Sequence, residues 1–240
     1  MQRIVKGFIL VSAVCVIGLM SGCGGSDNSD VYNPSIDPAN FVAGVDNPFF
    51  PLVPGRTLHY LITNADGTEN VAVTTTHDTK VILGVTCVVV HDVVTVDGAL
   101  AEDTWDWYAQ DKDGNVWYFG EDTKKYDGTT VNTEGTWEAG VGGAKPGMVM
   151  QSDPANHIGT TFRQEFMAGV AEDKTEVLSV NEAITTPYGS LTQCVMTKDY
   201  SDIEPGVVEH KYFASGIGQV ATIVVEGPAE REELVSITTE

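Results

Sequence analysis

Residues 104–119 read TWDWYAQDKDGNVWYF, two aromatic-rich runs separated by Asp111-Lys112-Asp113-Gly114-Asn115. Trp, Tyr, Val and Phe suit a pleated, half-buried surface, and the glycine supplies the positive φ of a tight turn, so the stretch predicts an antiparallel hairpin. The same pattern extends in both directions. Thr57–Thr63, Asn70–Thr76, Val85–Val96, Lys174–Val180, Cys194–Asp199, Val207–Ala214 and Gln219–Val225 are rich in β-forming residues, and Asn64-Ala65-Asp66-Gly67, Asp97-Gly98 and Glu204-Pro205-Gly206 punctuate them. No segment sustains a helical period. The prediction is an all-β fold, an antiparallel barrel or a two-layer sandwich of about ten strands.

The hairpin also suggests a surface. If Gln110 opposes Asn115, then Trp105, Trp107, Val116 and Tyr118 share one face, expected to be core. Asp106, Tyr108, Trp117 and Phe119 share the other. That second face mixes large aromatics with an acid, as a ligand groove or partner surface would, unless a loop such as residues 126–153 covers it.

Landmarks recur along the chain. Gly55-Arg56-Thr57 and Gly159-Thr160-Thr161 lie 104 residues apart, Cys87 and Cys194 lie 107 apart, Trp107-Tyr108-Ala109 and Tyr212-Phe213-Ala214 lie 105 apart, and Gly114-Asn115-Val116 and Gly218-Gln219-Val220 lie 104 apart. Matches in one order at a nearly constant offset predict two pseudo-symmetric halves, about 50–125 and 154–226, connected by the Gly-rich segment 126–153. Each half alone is too small to bury its apolar face, so the two are expected to share one apolar core within a single domain, residues 47–240.

The first residues address the chain. Arg3 and Lys6 precede an uncharged apolar run, Phe8 to Met20, too short to span a bilayer comfortably and suited to a signal peptide, residues 1–22. Leu19-Met20-Ser21-Gly22-Cys23 follows and resembles the bacterial lipobox, with Met20 where Leu is usual. The resemblance implies a diacylglyceryl group on Cys23, which becomes the first mature residue, and Gly24 in place of Asp implies sorting to the outer membrane. Several acyl chains, at ~0.8 kcal/mol per buried methylene, hold a protein stably without help from its folded domain. Residues 23–46, containing GGSDNSDVYNPSIDPAN at 24–40, are expected to form a flexible tether, with folding starting near Asn47.

Two further stretches carry a resemblance. Asn47-Pro48-Phe49-Phe50-Pro51-Leu52-Val53-Pro54-Gly55 and Tyr212-Phe213-Ala214-Ser215-Gly216-Ile217-Gly218-Gln219-Val220 look like a group of uncharacterised bacterial secreted proteins and lipoproteins with the same opening and glycine hairpin. That group also has a Pro-x-Gly-Ser/Thr turn, here Pro187-Tyr188-Gly189-Ser190. The resemblance implies an all-β fold and brings no catalytic residues.

Charge narrows the partners. The chain has 13 Lys+Arg against 34 Asp+Glu; loss of residues 1–22 removes two bases and no acid, leaving 11 against 34, a net charge of −23. So acidic a chain repels phosphate backbones, which excludes nucleic acid. The scattered acids read as a solvated surface.

Cys87 and Cys194 are the cysteines left for the folded domain. Sequence leaves two outcomes open: a disulfide, worth up to ~4.7 kcal/mol by loop entropy, or two buried thiols. No hydrolase elbow, zinc-protease helix, Cys-x-x-Cys or phosphate loop occurs. Asp111–Asn115 fails the spacing of a calcium loop, the five histidines show no ligand spacing, and no cofactor is implied. Glu102 and Asp106 share a strand face that Asp103 does not, which is the raw material of a carboxylate hydrolase. The reading that follows is a membrane-anchored, extracytoplasmic, non-catalytic binding or structural domain for a small apolar molecule, a polymer or an envelope protein. The alternatives are a carboxylate-dependent envelope hydrolase and a calcium-stabilised surface protein.

Overall fold

The computed structural model describes residues 32–240. The signal peptide, the lipobox with Cys23 and the tether up to residue 31 lie outside the described residues. The strands are Phe41–Val42 (β1), Arg56–Asn64 (β2), Gly67–Ile82 (β3), Val85–Val96 (β4), Ala99–Asp111 (β5), Val116–Asp127 (β6), Thr130–Asn132 (β7) and Trp137–Glu138 (β8). Lys145–Met150 (β9), Thr161–Arg163 (β10), Glu165–Phe166 (β11), Asp173–Thr186 (β12), Gly189–Ser201 (β13), Val208–Ala214 (β14), Gly218–Glu226 (β15) and Glu230–Thr239 (β16) complete them. Two short 3-10 turns, Pro38–Asn40 and Pro154–His157, are the helical elements among the described residues.

Period-two burial drives the architecture. In β2, Arg56, Leu58, Tyr60 and Ile62 are buried, and the residues between them are more open. Thirteen strands run along one antiparallel path, β10-β12-β13-β14-β15-β16-β2-β3-β4-β5-β6-β9-β11. β10 lies against β9, so the path curls back on itself as a nearly closed barrel. Closure removes most of the unpaired strand edge that a sandwich would expose.

Strands β2 to β6 neighbour one another in chain order, as do β10 and β12 to β15, with β16 bridging the two groups. Two of the recurring sequence landmarks sit in similar bonding. The Gly55 N–H donates to the Thr75 carbonyl at 2.8 Å and the Gly159 N–H to the Val177 carbonyl at 2.8 Å. Val88 opposes Tyr108 in one group, and Val195 opposes Phe213 in the other.

Three expectations are corrected. Residues 32–46 do not hang free. Tyr32 donates its hydroxyl to the Pro146 carbonyl at 2.9 Å, Phe41 and Val42 pair with Asp111 and Gln110, and Val45 is buried. These contacts satisfy backbone groups that a tether would leave to water.

The second correction concerns the interior, which is not uniformly apolar. Glu69, Asp92, Glu102, Asp106, Glu121, Glu165, Asp173, Asp199, Glu209 and Glu232 are all buried. On β5 the buried residues Glu102, Thr104, Asp106, Tyr108 and Gln110 alternate, which places their side chains on one inward face. Thus many of the acids expected on a solvated surface line the barrel, and the apolar residues divide into two clusters.

The third correction is one of register. Gln110 opposes Val116 rather than Asn115, and Tyr108 opposes Tyr118. The face bearing Asp106 and Tyr108 therefore also carries Tyr118, whereas Trp117, opposite Ala109, lies on the other side.

Candidate functional site at the barrel mouth

The stretch Asn47–Gly55 crosses one end of the barrel as a strap. Asn47 fastens it: its N–H and that of Asp46 donate to Gln110 Oε1 at 2.8 and 2.9 Å, while its Nδ2 donates to the Gly114 and Gln151 carbonyls at 2.9 and 3.1 Å. Arg56 fastens the other side. Its Nη1 donates to the Gly216 carbonyl and its Nη2 to the Ile217 carbonyl, both at 3.0 Å, and Nη2 also reaches the Pro51 carbonyl. The Gly216 N–H in turn donates to the Pro48 carbonyl at 2.7 Å. Gly216 needs its φ of +77° to make this tight turn. The two stretches that sequence singled out, more than 150 residues apart, thus meet at one place.

Beneath the strap lies a cavity of about 70 Å³, room for a few water molecules. Phe50, Leu52, Leu58, Val73, Val90 and Ile217 give it apolar walls, and Asp106, Tyr108 and Tyr60 stand among them. The Phe50 ring is the stopper: it packs 5.2 Å from Tyr108 and 6.4 Å from Phe213 and is only half-buried. Rotating it outward would enlarge the cavity by the volume of a phenyl ring.

Asp106 is the polar end of the cavity. Its Oδ1 accepts from the Tyr118 hydroxyl at 2.7 Å, and Tyr118 stacks on Tyr108 at 4.8 Å. Burial pushes its carboxyl up to about 7, with the Tyr118 hydrogen bond opposing and nearby Glu102 adding to the rise. Near neutral pH this group can both hold and release a proton. Tyr60 donates its hydroxyl to the Gln219 carbonyl at 2.9 Å.

The expected site residues therefore separate. Asp106 and Tyr108 line the mouth. Trp117 and Phe119 instead flank Phe41, with ring centroids at 6.4 and 5.6 Å, and Trp117 gives its indole N–H to Asp111 at 2.9 Å. Glu102 shares Asp106's face but is not part of the cavity lining, and Asp103 bonds His91 at 2.6 Å. Asp111 closes the hairpin turn by accepting from the Asn115 N–H at 2.9 Å. Among the described residues, no group of three or more His, Cys, Asp or Glu could hold a metal ion.

Cys87 and Cys194 are free thiols in different apolar clusters, so the bridge that sequence left open is not formed here. Burial pushes the Cys87 thiol up to about 12, which keeps it protonated and unreactive. Sequence reading missed Arg56, Phe50 and Tyr60. The available signal was an arginine directly after the strap glycine in a chain poor in bases.

No family profile and no curated protein matches this chain in sequence. In fold it is similar to a protein from Bacteroides fragilis, thought to be exported and described as having a YmcC-like fold, at 15% identity and a TM-score of 0.48, over 80% of this chain and 99% of that one. It is also similar to a protein from Parabacteroides distasonis, thought to be a lipoprotein, at 12% identity and a TM-score of 0.44, again over 80% and 99%.

Proposed function

We propose that the chain is an extracytoplasmic lipoprotein, anchored through Cys23 in the outer membrane, whose barrel is a non-catalytic binding module assembled from two repeated halves. Its ligand is a small, mainly apolar molecule with a basic or hydrogen-bond-donating end, held at the mouth. The observation that carries this reading is the convergence of the Asn47–Gly55 strap and the Tyr212–Val220 hairpin on one apolar cavity with Asp106 on its wall. The leader and the Cys23 motif support the location. The equivalent pairing of Val88 with Tyr108 and Val195 with Phe213 supports the repeat. A hydrolase reading is weaker because the cavity exposes Asp106 without Glu102, whereas a glycosidase needs two carboxyls across one cleft.

The test uses primary alkylamines of four to eight carbons, with alcohols and carboxylates of equal length, titrated against the protein by calorimetry. Amines are expected to bind at least tenfold more tightly than carboxylates. Asp106→Asn should erase that preference, and Leu58→Trp should block every compound. Equal affinity for amine and carboxylate, or unchanged binding in a folded Leu58→Trp protein, would reject the mouth as the site.

A further inference from the structure

A second concavity lies where the two ends of the strand path approach each other. It is a groove of about 490 Å³, within the size range of small-molecule sites and much larger than the mouth cavity. Trp117 of β6, Met148 of β9 and Phe162 of β10 form an apolar floor, and Tyr32 and Pro34 form a wall. Arg163 and Lys174 stand at its rim.

The two cations are the unusual feature. They are directly opposed across the β10–β12 pair, an arrangement that costs stability unless an anion lies between or beside them. One carboxylate serves both: Asp202 pairs with Lys174 and sits 4.0 Å from Arg163, while its own side chain is 48% exposed. Arg163 Nη1 is buried without a hydrogen-bond partner, and the guanidinium lies 4.8 Å from the centre of the Phe166 ring. In a chain with 13 bases and 34 acids, two adjacent cations beside an aromatic and thioether floor select for negative charge joined to an apolar body.

Position adds a second argument. Tyr32 is fixed at this groove by its bond to the Pro146 carbonyl and by edge contact with Phe166 at 6.1 Å. Cys23 lies nine residues upstream. Nine residues span at most about 30 Å, so an anchored chain keeps the groove within that reach of the bilayer surface.

We infer that the seam groove binds a single-chain amphiphile with an anionic head, its acyl chain along Trp117, Met148 and Phe162 and its head on Arg163 and Lys174. This site is separate from the mouth; only its closeness to the membrane rests on the anchoring proposed above. The head is held by ionic hydrogen bonds of the guanidinium and ammonium, and the chain by burial of apolar area.

The test reconstitutes the full lipoprotein in phosphatidylcholine vesicles with a diazirine-bearing stearic acid, and the labelled residues are mapped by mass spectrometry after illumination. Adducts are expected on Tyr32, Met148 or Phe162. Labelling should fall at least tenfold in the Arg163→Gln/Lys174→Gln double variant and again when Thr161→Trp fills the groove. A diazirine-bearing stearylamine should label these residues at least tenfold less. Circular dichroism confirms that each variant is folded, and the double variant, altered at the rim, keeps the test decisive if Thr161→Trp does not fold. Leu58→Trp, which blocks the mouth, should leave groove labelling unchanged, so either site can fail without the other. Equal labelling by amine and acid, adducts scattered over the barrel, or labelling indifferent to the double variant would overturn the proposal.

Discussion

Asp199 shows how a carboxylate survives inside the barrel. It accepts from the Thr175 and Thr197 hydroxyls, each at 2.7 Å, from Gln164 Nε2 at 2.8 Å, and from Lys211 Nζ at 3.0 Å. Lys211 is itself buried, and although burial alone would lower its pKa, Asp199 and Glu209 raise it well above the usual lysine range. One buried cation thus compensates two carboxylates, because Glu209 lies 3.8 Å away on the same strand. Removing it strands both. Lys211→Met is expected to cost about 3 kcal/mol at pH 8. The loss should shrink at pH 5, where Glu209, lifted to about 7 by burial, takes up a proton. Urea unfolding at the two pH values measures both numbers, and an equal loss at each would mean that Lys211 contributes only by packing.

At the scale of elements, the β5–β6 hairpin shows what sequence makes legible and where it stops. The turn was readable because Asp111, Gly114 and Asn115 each have one local job: Asp111 caps the loop, Gly114 takes a φ of +91°, and Asn115 returns a carbonyl to the Asp111 N–H at 2.9 Å. The register was not readable, because Asn115 closes the turn against Asp111 and so leaves Gln110 to oppose Val116. Farther along, a bulge shifts the pairing again between Trp107 and Tyr108, which oppose Gly120 and Tyr118, leaving Phe119 as the extra residue. The slip at the turn has no composition of its own, since both faces carry large aromatics. Trp107, on the side opposite Asp106, is covered by Lys80, whose ammonium sits 3.2 Å from its ring. Alternation therefore revealed a two-sided strand but not which side faced inward.

The one sequence mark of the bulge is Gly120, with a φ of +135°, where an added Cβ would lie 2.3 Å from the Trp137 carbonyl oxygen. Gly120→Ala should cost at least about 2 kcal/mol through both strain and collision. Gly128→Ala, at φ +61° with open space around it, should cost about 1 kcal/mol. Denaturant midpoints of the two variants decide this, and equal losses would remove the role of the β6–β8 contact.

For the whole molecule, the hidden acids invert the usual response to pH. Burial is the largest cause of the upward shift in every shifted carboxyl of the interior. It lifts Asp106 and Glu209 to about 7 and Asp173 to about 8, and it also raises Asp92, Glu102, Glu121, Glu165 and Glu232. In the unfolded chain the same groups ionise near their ordinary values of about 4. Between about pH 5 and 7 the folded protein keeps protons that the unfolded chain has released, so unfolding liberates protons and stability falls as pH rises. The contribution is fully present below the unfolded pKa values and is lost as pH passes through the folded ones, near 7 to 8. One such proton corresponds to about 1.4 kcal/mol per pH unit, so the slope over this window should be at least that steep, with a melting temperature higher at pH 5 than at pH 8. Repulsion among the surface acids acts in the same direction, but salt distinguishes the two. At 1 M salt the screening length shrinks to about 3 Å and quiets exposed charges, while buried groups are screened far less. A slope that persists in high salt and becomes shallower in Asp173→Asn assigns the effect to the barrel interior. A slope that vanishes with salt assigns it to the surface, and a protein more stable at pH 8 than at pH 5 would mean that water or ions reach these carboxylates and keep them charged.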